Sequence, residues 1–222
     1  MTTYGNIRTG IGGWVFDAWN ESFYPPKLPK TKQLQHAGSK LRAIEINGTY
    51  YGSQKPATFA KWAADVPDGF VFSLKASRYC TNRKVLSEGG ASVEKFLTQG
   101  ITELGDRLGP ILWQFMATKA YDPEDFEGFL KLLPKEQDGL PLRHVVEPRH
   151  DSFRSPEFIE LIRNYGVAAV VADVADGVTG LGGSQLRQQP RDSRRRVEFA
   201  SFLARARGKL ADKIFVSIAQ YI

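Results

Sequence analysis

Residues 70–74 (FVFSL), 111–115 (ILWQF), 144–147 (HVVE) and 168–172 (AAVVA) are short runs dense in branched and aromatic side chains. Residues 7–11 (IRTGI) and 42–46 (RAIEI) are weaker runs of similar length. Such runs, bounded by Gly, Pro or polar residues, predict strands. Between them the apolar spacing changes to the three-to-four residue period of helices. Val93, Phe96, Leu97, Ile101, Leu104 and Leu108 predict one helix over 92–108. Asp122-Pro123 and Ser155-Pro156-Glu157 are caps followed by Pro at the first helical position, and they predict helices over 123–133 and 155–165, the second closed by Gly166. Shorter helices are predicted over 30–37 and 56–64.

Strands that alternate with helices imply parallel βαβ units, in either a barrel or an open doubly wound sheet. The sequence holds no GxGxxG and no GxxxxGK[ST]. Gly10-Ile11-Gly12-Gly13 lacks the third glycine spacing and reads as a turn. Without a nucleotide fingerprint the pattern favours an α/β fold of the TIM-type (β/α) barrel kind. No break in composition precedes residue 177, so 1–222 reads as a single domain. Residues 177–196 (GVTGLGGSQLRQQPRDSRRR) are polar, glycine-rich and then arginine-rich, without periodicity. A helix over 197–210 and a seventh strand over 214–218 follow, but no eighth strand is visible. The expected barrel is therefore irregular or incomplete in its C-terminal units, with 177–196 atypical, disordered or divergent.

Length and charge refine this picture. At 222 residues the chain is near the short end for such a barrel, which typically needs about 250. The net charge of +6 first suggests nucleic acid, but residues 181–222 hold nine basic and three acidic residues and carry all of it. Residues 1–180 hold 21 of each sign, so support for a nucleic-acid partner is weak. The single cysteine, Cys80, rules out an internal disulfide and suits a reducing compartment. No signal-like start and no apolar run long enough to span a bilayer is present, so the expectation is a cytoplasmic protein with no membrane partner.

In parallel α/β folds the reactive positions lie at the carboxyl ends of strands. Those positions form a polar series here. Glu45 and Asn47 are two apart and share a face. A carboxylate between Ile44 and Ile46 requires a partner or a shifted pKa. Lys75 follows the third strand, Gln114 lies in the fourth, Glu147 and Arg149 are again two apart at the fifth with His150 beside them, and Asp173 ends the sixth. Each has a plainer role to weigh: Glu45 a satisfied structural acid, Lys75 a solvated strand end, Glu147 with Arg149 a simple ion pair, His150 a loop histidine. Trp14 and Tyr50 are candidates for substrate contact, although core or rim packing is the commoner duty of such aromatics. His36 and His144 read as structural.

Gly12-Gly13-Trp14, Phe23-Tyr24-Pro25, Ile44-Glu45-Ile46-Asn47-Gly48-Thr49-Tyr50-Tyr51, Phe72-Ser73-Leu74-Lys75-Ala76, the run 108–115 (LGPILWQF) and the run 147–153 (EPRHDSF) form an ordered series over residues 7–173 that resembles the YecE-like family, domain of unknown function 72. The resemblance implies a TIM-type barrel and no particular reaction. The positions matching the family's polar motif residues are Glu45, Asn47, Lys75, Gln114, Glu147, Arg149, His150 and Asp173. The chain departs from the family where Thr81-Asn82 replaces a Thr-His pair, where 114–117 (QFMA) replaces a proline-containing turn, and where the seventh-strand motif is missing from 177–196.

Three functions fit this set. In the first, Glu45, Lys75 and Glu147 are catalytic and share acid/base work on a small anionic metabolite, with Lys75 and Arg149 holding its carboxylate or phosphate. Trp14, Asn47, Tyr50, Gln114, Arg149, His150 and Asp173 would contact that ligand. In the second, Glu45, Glu147, His150 and Asp173 ligate a divalent metal ion in a phosphodiesterase or nucleic-acid-processing barrel. In the third, the chain is a degenerate, non-catalytic member.

Overall fold

The structure is a computed structural model that describes residues 8–170. Strands Gly10–Gly12, Ala43–Ile46, Val71–Lys75, Leu108–Gln114, His144–Glu147 and Ala168–Ala169 form one parallel sheet in chain order. Every neighbouring pair is joined by a crossover. The order never reverses, so the described sheet has no switch point of the doubly wound kind. Its two outer strands are not paired with each other, and no closed sheet is formed among the described residues.

Period-two alternation divides the strands between two faces. Ile44, Ile46, Phe72, Leu74, Ile111, Trp113, Phe115 and Val146 belong to the main apolar core. Helices Lys30–Lys40, Pro56–Ala64, Gly90–Leu97, Pro123–Lys131 and Pro156–Asn164 supply the other side of that core through Leu34, Phe59, Phe96, Phe129 and Ile159. Aromatic rings meet edge to face throughout it. Trp113 contacts Phe96 at 5.7 Å and Phe129 at 5.5 Å between centroids. On the opposite face Leu112, Val145 and Val170 form a separate small cluster with Ala168.

The helix starts follow the expected capping chemistry. The Asp122 carboxylate accepts from the Glu124 and Asp125 amides, and the Ser155 hydroxyl accepts from the Phe158 amide. Each is followed by Pro at the first helical position. Gly166 ends the second helix in the left-handed region at φ 69°, where glycine is favoured.

Several boundaries differ from the sequence pattern. The helix expected over 92–108 is two segments, Gly90–Leu97 and a 3-10 stretch Ile101–Arg107, divided at Gly100 with φ 102°. Periods of 3.6 and 3.0 both place residues three apart on one side, so Ile101 and Leu104 stay buried across the break. Leu108 already belongs to the fourth strand, and Gly109-Pro110 lie inside it rather than before it. The pairing slips by one residue there, from Phe72 opposite Leu108 to Leu74 opposite Ile111. A Cβ on Gly109 would stand 2.4 Å from the Phe72 carbonyl oxygen, so only glycine fits that close approach. Gly12 ends the first strand and is not a turn residue. A hairpin of Glu136–Gln137 with Leu140–Pro141 turns at Asp138-Gly139, a dipeptide with positive φ at both positions. The expected elements over 197–210 and 214–218, and the atypical run 177–196, lie outside the described residues.

His144 links this core to a chain turn. Its Nδ1 accepts from the Trp113 indole at 3.1 Å, and its Nε2 donates to the Pro134 carbonyl at 2.7 Å. Trp113 is fully buried. Trp113→Ala is expected to lower stability by about 3–5 kcal/mol through lost burial and a cavity, measured by urea denaturation.

Candidate functional site

Each strand that places a large apolar residue on the helix side places a different residue on the opposite side, one position along. In the second strand that residue is Glu45, between buried Ile44 and Ile46. In the third, Ser73 and Lys75 share the face. In the fourth it is Gln114, and in the fifth Glu147. Gln114 stands directly opposite Glu147, and Glu45 opposite both Gly12 and Ser73. The carboxyl ends of four neighbouring strands thus bring Glu45, Lys75, Gln114 and Glu147 to one end of one face.

The backbone carrying these side chains is fastened. The Glu45 carbonyl accepts from the Gly13 amide at 2.8 Å, and the Glu147 carbonyl from the Phe115 amide at 3.0 Å. The buried Thr49 hydroxyl reaches the Lys75 carbonyl at 2.7 Å and the Ile46 carbonyl at 3.0 Å, tying the ends of two strands together.

The two carboxylates have different surroundings. Glu147 is buried, and both its oxygens are occupied. Gln114 Nε2 donates to Oε2 at 2.8 Å, and Arg149 Nε donates to Oε1 at 2.9 Å. Glu45 has no hydrogen bond or ion pair among the described residues. Burial pushes its pKa up from 4.5 to about 7, and the Glu147 charge pushes the same way. Lys75 and Arg149 oppose that rise.

Lys75 was expected just beyond its strand; it is the last strand residue, and only 7% of it is exposed. Its ammonium makes no ion pair among the described residues and lies over the Tyr50 ring at 5.0 Å. Asn82 Nδ2 donates to the Tyr50 hydroxyl at 3.1 Å and fixes that ring. Asn47 Nδ2 lies against the first strand, where a Cβ on Gly12 would stand 3.2 Å from it.

The other candidates have partners of their own. The Trp14 ring packs edge-on against Trp62 at 5.5 Å, and its carbonyl accepts from the Tyr24 hydroxyl. His150 caps the short turn Asp151–Phe153, with its Nδ1 2.8 Å from the Ser152 hydroxyl. Asp173 lies outside the described residues. Among the described residues no three His, Cys, Asp or Glu side chains are placed to hold a metal ion. Cys80 is fully buried, with its thiol pushed up to about 12 by burial. No helix among the described residues is long and apolar enough to cross a membrane.

Thr49, Asn82 and the short helices Gly48–Tyr51 and Arg78–Thr81 escaped the sequence reading as parts of the site. Ser77 before the second helix was the available signal: its hydroxyl accepts from the Tyr79 amide.

Comparison with known proteins gives a consistent family. A family model described as "Protein of unknown function DUF72" matches residues 8–213. The "UPF0759 protein YunF" of Bacillus subtilis is 26% identical over 159 residues, which is 69% of this chain and 54% of that protein. The chain thus spans about half the length of this curated relative. A DUF72 family protein of Thermotoga maritima has a similar solved structure, with a TM-score of 0.62 at 21% identity over 95% of this chain and 90% of that one. A DUF72 family protein of Enterococcus faecalis gives 0.56 at 18% identity over 86% of each chain. These likenesses concern the fold.

The raised Glu45 pKa yields a stability test. The folded state holds a proton that the unfolded state releases near pH 4.5, so ionising Glu45 penalises the fold increasingly from there up to about pH 7. Glu45→Gln is expected to match wild-type stability at pH 4 and exceed it at pH 8 by up to about 3 kcal/mol. Urea denaturation at both pH values checks this, and a pH-independent difference would contradict it.

Proposed function

The chain belongs to the DUF72 family, and on that premise we propose that Glu45, Lys75 and Glu147 form the working centre of a pocket for a small anionic metabolite. Lys75 receives the carboxylate or phosphate. Glu45 exchanges a proton with the ligand. Glu147 acts as a fixed carboxylate, held in place by Gln114 and Arg149. The single observation that carries this reading is the Glu45–Lys75 pairing of environments: a carboxyl that titrates near neutrality beside a buried ammonium with no ion pair among the described residues.

Each role follows from physical chemistry. A general acid or base works best with a pKa near the operating pH, and Glu45 has been moved there. An ammonium away from bulk water and without a bound counter-ion attracts an incoming anion strongly. Glu147 accepts two hydrogen bonds, so its geometry is set before any ligand arrives. Asn47 and Tyr50, just beyond the second strand, would line the entrance. Support for the finer architecture comes from the strictly sequential parallel order of six strands, which is the order of a barrel. We take the sheet to be an arc of a TIM-type barrel within one domain over 1–222.

Thermal unfolding against a panel of phosphorylated, carboxylated and neutral metabolites tests the reading. Anionic compounds present at about 100 times Kd should add about 2.7 kcal/mol, a rise of a few degrees in Tm. Lys75→Met should abolish the rise. Stabilisation by neutral compounds alone, or an unchanged response in Lys75→Met, would overturn it. Affinity should also fall as pH rises through about 7, because ionised Glu45 adds a negative charge beside the anion. In Glu45→Gln that fall should disappear.

A further inference from the structure

The two short helices that follow the second and third strands, Gly48–Tyr51 and Arg78–Thr81, carry three tyrosines, of which Tyr50 lies against Lys75. The Tyr50 and Tyr51 rings meet edge to face at 5.1 Å. The Arg78 guanidinium lies over the Tyr79 ring at 5.3 Å, and it is close enough to Tyr50 and Tyr51 to feel their phenol groups. Tyr51 is 67% and Tyr79 62% exposed. A singly exposed aromatic is ordinary on a surface, but these are grouped beside a buried cation. Tyr50 links the two parts, with its ring under Lys75 Nζ at 5.0 Å and its hydroxyl held by Asn82 at 3.1 Å.

We infer that Tyr51, Tyr79 and Arg78 form a stacking platform for a planar aromatic ring on the ligand, with Tyr50 joining that platform to the anion site at Lys75. The inference rests on the reading of Lys75 as the anion holder and narrows the ligand class to a small aryl or heteroaryl anion. Tyrosine side chains and a guanidinium plane all present flat faces to a ring. They have few rotatable bonds to fix, so little entropy opposes binding. A ligand with only an anionic group would leave these faces in water. One that carries a ring covers the platform while its charge reaches the ammonium.

Calorimetric titration of the full chain with phenylphosphonate and methylphosphonate separates the two contributions, because both carry the same anion and neither has a hydrolysable ester. Wild type should bind phenylphosphonate about five- to tenfold tighter than methylphosphonate. Tyr51→Ala and Tyr79→Ala alter exposed side chains. Each should bring phenylphosphonate down towards the methylphosphonate affinity and leave methylphosphonate binding unchanged. Equal affinity of the two probes in wild type, or a gain that survives in both tyrosine variants, would overturn the platform. The anion reading would survive that result if Lys75→Met still lost both probes. No binding of either probe, or binding indifferent to Lys75→Met, would overturn the anion reading and the platform with it.

Discussion

Ile44 and Ile46 cannot be buried beneath the helices without turning Glu45 to the opposite side of the same strand. That constraint recurs along the sheet. Phe72 and Leu74 on one side fix Ser73 and Lys75 on the other, Trp113 and Phe115 fix Gln114, and Val146 fixes Glu147. Slipping any of these four strands by one residue would drive a polar or charged side chain into the aromatic core and expose its apolar set. Forming the core therefore also places the polar group, and the same burial that stabilises the fold positions its chemistry. The one irregularity, at Gly109, is absorbed below the polar positions, and the pairing is regular again where Gln114 meets Glu147.

The four charges at the strand ends are not interchangeable. Two carboxylates and two cations are near enough to influence one another, yet the pairing is unequal. Arg149 and Gln114 take both oxygens of Glu147, so that carboxylate is committed. Glu45 lacks such donors among the described residues and lies close to the Glu147 charge. Lys75 offsets part of that burden without contacting Glu45 as an ion pair. Environments that separate two like acids in this way are the usual means of giving them different duties at one pH.

Much of this was legible in the sequence, for a specific reason. A polar residue between two branched apolar ones, as in Ile44-Glu45-Ile46, signals both a strand and its polar face. The pairs Glu45/Asn47 and Glu147/Arg149 added the two-residue period. What could not be read is what depends on contacts distant in sequence. Thr49 looks like any turn threonine until its hydroxyl is seen joining two strands. Nothing local to His144 showed the Trp113 indole that occupies it. The contacts of Trp14 with Trp62 and of His150 with Ser152 were likewise invisible in the sequence. The split of the expected 92–108 helix at Gly100 reflects a real ambiguity, because a 3-10 turn preserves the same buried positions. Asp138-Gly139 was a readable turn signal that went unused.

The distribution of hydrogen-bond donors within the polar group sets Glu45 apart from Glu147. One step down the same face from Gln114 and Glu147 stand Leu112 and Val145, which pack with Val170 in a small buried apolar cluster. Gln114 and Glu147 therefore rest on an apolar layer. Glu45 loses part of its hydration to burial and regains none from hydrogen-bond donors among the described residues. A donor such as Gln114 or Arg149 bonded to Glu45 would favour its ionised form. The distribution of donors, with two for Glu147 and none among the described residues for Glu45, is thus what separates an anchored carboxylate from a titrating one. It follows from which strand pairs with which, because Gln114 lies in register with Glu147 and across the sheet from the Glu45 strand.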